Sequence, residues 1–190
     1  MNHEEDWIDE VLQGKHKSFE ALLLPYRNKM LSVTYQMTGN IEEAKEICQE
    51  VFLRVFRHLD KFKRGESFKN WLFAITTHTT YDFLRKKRRD LSLIERQKYE
   101  SSFSLDNPES RFQGEELRKK ILFCLRGLTP KERTVFILRD VEGESIKDTM
   151  KILGCSSTSV RTHLCRARRK IKDQFLRVSQ KEGSSSHEMP

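Results

Sequence analysis

Apolar residues recur at intervals of three and four along most of the chain, which is the spacing of an amphipathic α-helix. A short repeat covers residues 7–12 and ends near Gly14. A longer one covers residues 18–37, with Ser18 placed as an N-cap and Gly39-Asn40 as the stop signal. The most regular repeat covers residues 41–59. The first sixty residues are therefore predicted to form three helices.

The helix over residues 41–59 has a polar face opposite its apolar stripe, and that face is mostly acidic. Cys48 lies on the stripe and is interpreted as a small buried hydrophobe. Two interpretations of the polar face stay open: a solvated surface, or a docking surface for a basic partner. The face consists of Glu42, Glu43, Glu46, Gln49, Glu50 and Arg54, with the apolar Leu53 among them.

A basic stretch with Gly65, residues 61–67, interrupts the pattern and is predicted to be a loop. The apolar spacing resumes at Phe68 and is expected to end in the run Arg85-Lys86-Lys87-Arg88-Arg89. Basic residues complement the negative end of a helix dipole, but five in succession exceed that need. Phosphate binding is the better explanation of the run.

The chain is predicted to be all-α, with two small helical domains joined by an extended linker. Residues 1–90 form the first domain, and residues 113–178 form the second. The linker, residues 91–112, lacks a sustained period and contains Asn107-Pro108. The Ser-rich tail, residues 179–190, is expected to be disordered.

Three helix starts follow one another in the second domain. Thr129-Pro130-Lys131-Glu132 is a capping box with Pro at the first helical position. Ser145 repeats the signal for a short helix that is expected to carry Ile146, Met150 and Leu153 inward. Gly154 ends that helix, and Ser156 caps the next.

The last helix packs an apolar series at Val160, Leu164, Ala167 and Ile171, expected to continue to Phe175. A short helix, a Gly turn and a second helix with polar and Arg residues form a helix-turn-helix that enters a DNA major groove. The alternative is a basic surface helix in a bundle. The candidate DNA-binding residues are Ser156, Ser157, Thr158, Ser159, Arg161, Thr162, Arg166, Arg168 and Arg169.

Composition and charge support this division. With 34% charged residues, 8 Gly and 4 Pro, the chain favours helices over short strands. The net charge of +8 is uneven: residues 1–60 carry 7 basic and 11 acidic groups, whereas residues 61–90 carry 9 and 3. The basic blocks suit a polyanion, and the acidic third suits a basic protein surface.

No cofactor, metal site or membrane insertion is expected. The four cysteines form no CxxC pair, and no signal peptide precedes them, so disulfides are disfavoured. Cys155, His163 and Cys165 lack a fourth ligand at a recognised spacing for zinc. No apolar run approaches the ~20 residues of a membrane span. A cytoplasmic location is expected.

The chain resembles the extracytoplasmic-function (ECF) sigma factors of bacterial RNA polymerase, the minimal two-domain class, over about residues 5–177. Asp106-Asn107-Pro108-Glu109 in the linker is also typical of that family. The segments that carry the resemblance are EAKEICQEVFLRVF at 43–56, FKNWLFAI at 68–75, DFLR at 82–85, LTPKER at 128–133, LRDVEG at 138–143 and VRTHLCRAR at 160–168.

The resemblance implies a function and a set of partners. Residues 41–60 would dock on the clamp helices of the largest subunit of core RNA polymerase, and the helix-turn-helix would bind the minus-thirty-five element of promoter DNA. An anti-sigma partner of unknown identity is also implied. The opened minus-ten element would fall to Lys61, Phe62, Lys63, Arg64, Phe68, Lys69, Asn70, Trp71, Arg85, Lys86, Arg88 and Arg89.

Physically, the segment at 61–71 pairs basic side chains with aromatic rings, a combination that holds single-stranded nucleic acid. Trp71 fits base stacking and core packing equally well. The sequence departs from the family pattern at Thr76-Thr77-His78 and at Thr149-Met150, which puts DNA contacts at the first stretch and the exact docking angle in question.

Two functions other than that of a sigma factor are consistent with part of the sequence. A dimeric helix-turn-helix regulator would explain the second domain but neither the 61–71 segment nor the acidic helix. A nuclease would need convergent carboxylates, whereas Asp82 and Asp140 are isolated and better suited to caps or salt bridges. The sequence therefore favours a sigma factor that is not an enzyme.

Overall fold

The structure, a computed structural model, describes residues 3–95 and 115–185, and all regular structure in those ranges is helical. The predicted all-α class is confirmed. The helices are α1 His3–Leu12, α2 His16–Leu23, α3 Arg27–Thr38, α4 Ile41–His58, α5 Phe68–Glu95, α6 Glu115–Arg126, α7 Pro130–Phe136, α8 Ile146–Leu153 and α9 Ser157–Ser185, with short 3-10 turns at Leu24–Tyr26 and Leu59–Lys61 and a π-helical segment at Ile137–Val141.

Helices α1 to α5 form the first unit. Its centre is the contact of α3, α4 and α5, where Met30, Val51 and Leu72 are fully buried. The predicted boundary between α3 and α4 is confirmed. Gly39 ends α3 with φ +76°, and the Asn40 side chain accepts hydrogen bonds from the first backbone N–H groups of α4 at 2.9 and 3.2 Å.

The single helix predicted over residues 18–37 is wrong. Helix α2 begins at His16, and the chain then makes a 3-10 turn around Pro25 before α3 begins. Proline lacks a backbone N–H, and its ring clashes with the carbonyl one turn earlier, so a straight α-helix is interrupted there. Ser18 is not the N-cap; its hydroxyl donates to the Glu10 carboxylate at 2.6 Å.

Helix α5 is longer than predicted. It continues through Glu95, so the run at 85–89 lies inside the helix and not at its end, and residues 91–95 are helical where a linker was expected. No Gly or Pro occurs between Phe68 and Glu95, and Leu, Arg and Lys propagate a helix at little cost. The rest of the predicted linker, with Asn107-Pro108, lies outside the described residues.

Helices α6 to α9 form the second unit, and its helix starts are as predicted. Thr129 and Glu132 make a reciprocal capping box at α7. Ser145 caps α8, Gly154 ends it with φ +59°, and the Ser156 hydroxyl accepts the Ser159 N–H at 3.2 Å to cap α9. The helix-turn-helix is therefore formed by α8 and α9.

Several details of this unit differ from the sequence prediction. In α8 the fully buried residues are Thr149 and Ile152, while Ile146, Met150 and Leu153 are partly buried, because α8 packs against the first unit as well as against α9. Phe175 is 46% exposed and does not continue the apolar series.

Helix α9 runs to Ser185, although a disordered tail had been predicted from residue 179. Once a helix is nucleated by packing, Gln, Lys and Glu extend it readily. Residues 186–190 lie outside the described residues.

The two units lie against each other. Ile137, Leu138 and Ile152 belong to the same apolar cluster as the core of the first unit, so the two units share part of a core. Arg133 links the units through its guanidinium, which donates to the backbone oxygens of Met37 and Leu125, both at 2.8 Å.

Candidate nucleic-acid and polymerase interfaces

The first turns of α9 present polar and cationic side chains to solvent. Thr158, Arg161 and Thr162 are exposed, while Val160 and Leu164 on the opposite face are buried against α7 and α8. The hydroxyl of Ser156 serves as the helix cap, so its predicted role in DNA binding competes with a structural one. This arrangement allows the start of α9 to reach base edges.

Two predicted phosphate ligands on α9, Arg166 and Arg169, are exposed, but Arg168 has a protein partner. Its guanidinium makes a bidentate pair with the Asp140 carboxylate at 2.8 and 2.6 Å. The hydrogen bonds that Arg168 donates to Asp140 raise the pKa of Arg168. Arg168 therefore joins α9 to the π-helical segment, and Asp140 is the salt-bridge partner that its isolation in the sequence suggested.

The segment at 61–71 has an aromatic floor rather than exposed stacking faces. Phe62 is 9% exposed and Phe68 1% exposed, and both rings pack edge-on or tilted against half-buried Trp71 at centroid distances of 5.5 and 5.8 Å. Both rings are buried by hydrophobic packing and leave no exposed face for stacking on a base, and a role for Phe62 and Phe68 in binding the downstream element stays a prediction. Trp71 belongs to the same cluster.

The cations of this segment differ in their surroundings. Lys61 and Lys63 are exposed, and Arg64 is also exposed but forms a two-point salt bridge with Asp9 of α1. Lys69 and Asn70, the second and third residues of α5, contact the second unit. Lys69 Nζ lies 2.7 Å from the Glu144 carboxylate, and the Asn70 amide donates to Asp148 at 2.8 Å.

The basic run of α5 does not form one patch, because consecutive helical residues point about 100° apart. Lys87 is half-buried and pairs with Glu43 of α4. The other four predicted phosphate ligands divide between two grooves: Lys86 and Arg89 line a groove against α4, whereas Arg85 and Arg88 line one against α7 and α9.

The acidic face of α4 is accessible. Leu53 is 50% exposed, and Glu42, Glu46 and Gln49 of the same helix are exposed as well. Arg54 pairs with Glu50 at 2.7 Å and with Asp82 at 3.5 Å, and the hydrogen bond that Arg54 donates to Glu50 raises the pKa of Arg54. Beside this face, a groove of about 490 Å³ runs between α4 and α5.

One group of residues at the contact between the units was not predicted from the sequence. Lys29 on α3 lies 2.7 Å from the Glu144 carboxylate and 3.2 Å from the Glu142 backbone oxygen. Glu142, Glu144 and Asp148 are acidic residues in an otherwise basic unit, and that contrast was the signal that could have identified them. The buried Thr76 and Thr77 bond to backbone oxygens one turn earlier, while His78 is exposed.

Within residues 3–95 and 115–185, no group of three or more His, Cys, Asp or Glu side chains is placed to hold a metal ion. Over the same residues, no helix combines the length and the apolar character that crossing a bilayer requires. Cys48 and Cys124 are buried thiols, and burial raises the pKa of both.

A capped helix-turn-helix, a second helical unit with cations around an aromatic floor, and an accessible acidic helix define a helical, DNA-binding transcription factor. Two family models match the chain, Sigma-70 region 2 over residues 22–90 and Sigma-70, region 4 over residues 118–171. They coincide with the two units.

Two relatives extend the match over most of the chain. The ECF RNA polymerase sigma factor SigW of Bacillus subtilis (strain 168) is 30% identical, covering 88% of this chain and 94% of its own length. The ECF RNA polymerase sigma-E factor of Escherichia coli (strain K12) is 29% identical, with coverage of 88% and 91%. The chain belongs to the ECF family of RNA polymerase sigma factors, and its function is that of an alternative sigma factor in transcription initiation.

Two solved structures share the fold. The sigma factor RpoE of Bartonella quintana, solved in complex with the anti-sigma factor NepR, matches with a TM-score of 0.68 and 22% identity over 84% of this chain and 97% of its own. CnrH, solved with the cytosolic domain of CnrY, matches with a TM-score of 0.69 and 18% identity over 90% and 96%. Nothing in the comparisons supports a dimeric helix-turn-helix regulator.

Proposed function

We propose that this chain binds core RNA polymerase, directs it to a two-part promoter and stabilises the opened strand without forming or breaking covalent bonds. The observation that carries the proposal is the start of α9, where Thr158, Arg161 and Thr162 are exposed on a helix whose opposite face is buried. An Arg in that position can contact guanine by two hydrogen bonds, which supplies sequence preference.

Polymerase docking is assigned to the exposed face of α4. Leu53 is a half-exposed apolar side chain surrounded by Glu46, Gln49 and Glu50. An apolar anchor inside a charged rim is the usual composition of an energetically important contact, and acidic residues suit a basic surface such as the polymerase clamp helices.

The two promoter elements are divided between the units. The start of α9 reads the upstream element, with Arg166 and Arg169 on phosphates. The exposed cations Lys61 and Lys63, together with Lys69 and Asn70 at the start of α5, hold the opened downstream strand. Since Phe62 and Phe68 are buried, this contact is mainly electrostatic, and base stacking is left to Trp71.

An anti-sigma factor is included in the proposal, because one structural neighbour, RpoE of Bartonella quintana, was solved with such a partner. The place of action is the cytoplasm, where core polymerase and the chromosome are found. None of the residues named in this proposal performs catalysis, and in the proposal the chain acts by binding alone.

Transcription with purified components tests the proposal. Core polymerase loaded with this chain is used to select genomic fragments, and run-off transcription and permanganate reactivity are measured on them. The proposal expects discrete transcripts and reactive thymines in the downstream element. A footprint on duplex half-sites without transcripts or reactive thymines would contradict it.

A matched pair of variants tests the docking surface. Leu53→Asp places a charge in the apolar anchor and is expected to lower affinity for core polymerase by about 30-fold, near 2 kcal/mol. Leu24→Asp makes the same change at a residue that is 64% exposed and distant in sequence from α4. It should change the affinity less than twofold. Equal losses in a pull-down titration would contradict the assignment of α4.

A further inference from the structure

A cavity lies between α5 of the first unit and α7 of the second, and we call it the inter-unit cavity. It consists of two adjoining lobes that share a wall formed by Tyr81, Leu84, Arg88 and Pro130. One lobe, of about 300 Å³, extends to the end of α3, and the other, of about 400 Å³, extends to α9. Volumes of this size are typical of sites for small molecules.

The charge of the inter-unit cavity is one-sided. Among the described residues that line it there are several cations and no carboxylate, whereas the groove between α4 and α5 has Glu46, Glu50 and Asp82 beside its cations. A concave surface lined by charges of one sign attracts a ligand of the opposite sign. The cations of the inter-unit cavity are Arg85, Lys87, Arg88, Arg126, Lys131 and Arg133.

Three of these cations are available to a ligand. Arg85, Arg88 and Lys131 are exposed, and none of the three forms an ion pair within residues 3–95 and 115–185. In the same lobe, the buried Nδ1 atom of His163 has no hydrogen-bond partner in the described part of the chain. A buried polar atom without a partner is unfavourable, so a ligand that forms this hydrogen bond is favoured.

Arg133 lines the other lobe, where its positive charge is unfavourable. Burial is the main cause that lowers the pKa of Arg133, and the positive charge of nearby Arg126 lowers it further. The Arg133 guanidinium donates to the backbone oxygens of Met37 and Leu125, which carry no full negative charge. An anion in this lobe supplies the charge that these oxygens lack.

The wall shared by the two lobes indicates which kind of anion fits. The Tyr81 hydroxyl donates to Thr134 at 2.8 Å, which restrains the ring, and Leu84 and Pro130 add apolar surface. A ligand with a planar ring and several negative groups suits this arrangement, because rings pack on apolar surfaces and guanidinium groups bind phosphate by two hydrogen bonds. We propose that the inter-unit cavity binds a nucleoside polyphosphate, with its base on the shared wall and its phosphates among the arginines.

Calorimetric titration of the full chain tests the inference with ATP, inorganic tripolyphosphate and adenosine as probes, at about 0.15 M salt without divalent cations. This inference goes beyond the proposed function, and the assay needs neither polymerase nor promoter DNA. ATP should bind with a Kd of about 50 μM. Tripolyphosphate should bind about tenfold more weakly, since it lacks the stacking of a base, and adenosine should give no measurable heat.

Two results of this titration overturn the inference. If ATP gives no heat of binding, the cavity is not a nucleotide site. If tripolyphosphate binds as tightly as ATP, the cavity recognises charge alone, and the shared wall has no role in binding.

Single variants locate the site. Arg88→Ala, on the shared wall, should weaken ATP binding about tenfold, and Lys131→Ala, on α7, about fivefold. Arg57→Ala is the matched control, since Arg57 is an exposed arginine of α4 that lines neither lobe. It should change the affinity less than twofold. All three residues are exposed, so the variants should fold, and equal losses in Arg88→Ala and Arg57→Ala would mean that ATP responds only to net charge and would overturn the inference.

Photo-cross-linking with 8-azido-ATP, followed by mass spectrometry, gives the position of the nucleotide directly. The label should appear within residues 81–88 or 128–134 or at His163, and an excess of ATP should prevent it. Label confined to the exposed start of α9, at residues 157–162, or to any other segment would place the nucleotide outside the inter-unit cavity and overturn the inference.

Discussion

The two surfaces assigned to DNA differ in how accessible their side chains are. The start of α9 has exposed Thr158, Arg161 and Thr162, held by a capped and well-packed helix. The start of α5 has Lys69 and Asn70, which contact carboxylates of the other unit. Both surfaces are cationic in sequence. Their difference shows that a basic segment is available to a polyanion only when no carboxylate of the same chain already binds it.

The largest expected effect concerns the exposed surface. Arg161→Ala should weaken binding of polymerase-loaded chain to a selected promoter by about 10- to 100-fold, because a bidentate base contact is worth about 1–3 kcal/mol. Electrophoretic mobility shift at fixed salt measures it. Arg177→Ala is the control, since Arg177 is exposed on the same helix about 24 Å further along. Comparable losses from both would show that α9 contributes charge but reads no bases.

The surface at the start of α5 should be less sensitive to the removal of one charge. In the free chain, Lys69→Ala loses a phosphate contact but also breaks the ion pair that holds Glu144 beside this surface, so affinity for single-stranded DNA should change less than threefold. In the polymerase complex, where the opened strand is expected to replace Glu144 as the partner of Lys69, the same variant should lower open-complex stability about fivefold.

Permanganate reactivity measured over time compares the two states. Lys17→Ala on exposed α2 is the control for charge alone. An equal loss for Lys69→Ala in the free chain and in the complex would show that the two surfaces do not differ.

The sequence predicts a structural feature well when the residues that determine it lie close together in the chain. The helix stop at Gly39-Asn40, the caps at Thr129 and Ser145 and the turn at Gly154 involve neighbours within four residues, so the sequence pattern alone predicts them. Pro25 itself indicates a break in the helix predicted over residues 18–37, but the regular apolar spacing on both sides of it favoured one continuous helix. The ends of α5 and α9 were missed because propagation beyond a packed core needs no apolar signal.

The candidate site was predicted in composition but not in arrangement. The residues at the start of α9 are exposed as expected, since an amphipathic period fixes which face is buried. The burial of Phe68 and the pairing of Lys69 with Glu144 depend on contacts between residues far apart in the chain. Lys69 and Glu144 are 75 positions apart, so no local sequence pattern predicts that they pair.

A smaller effect is expected at the N-cap of α9, which holds the exposed residues at the start of that helix in place. Ser156→Ala removes the acceptor for the Ser159 N–H and should lower the free energy of unfolding by about 1 kcal/mol. Urea denaturation followed by circular dichroism measures it. Ser157→Ala is the neighbouring control and should cost less than half as much. If the two variants are equally stable, the cap does not determine the position of α9.

The smallest effect near neutral pH concerns the surface at the start of α5. Burial alone would raise the pKa of Glu144, but hydrogen bonds from Lys29 and Lys69 hold it below its ordinary value of 4.5, so its charged form stabilises the contact between the two units above that value. Hydrogen bonds from Ser145 and Asn70 also lower the pKa of Asp148. The radius of gyration from small-angle scattering should be constant from pH 8 to pH 5 and should increase only below about pH 4.5, as Glu144 is protonated. In Glu144→Gln that acid-induced step should be reduced. Expansion of the wild type between pH 7 and pH 6 would point to a histidine instead, and the contact between the units would then not depend on Glu144.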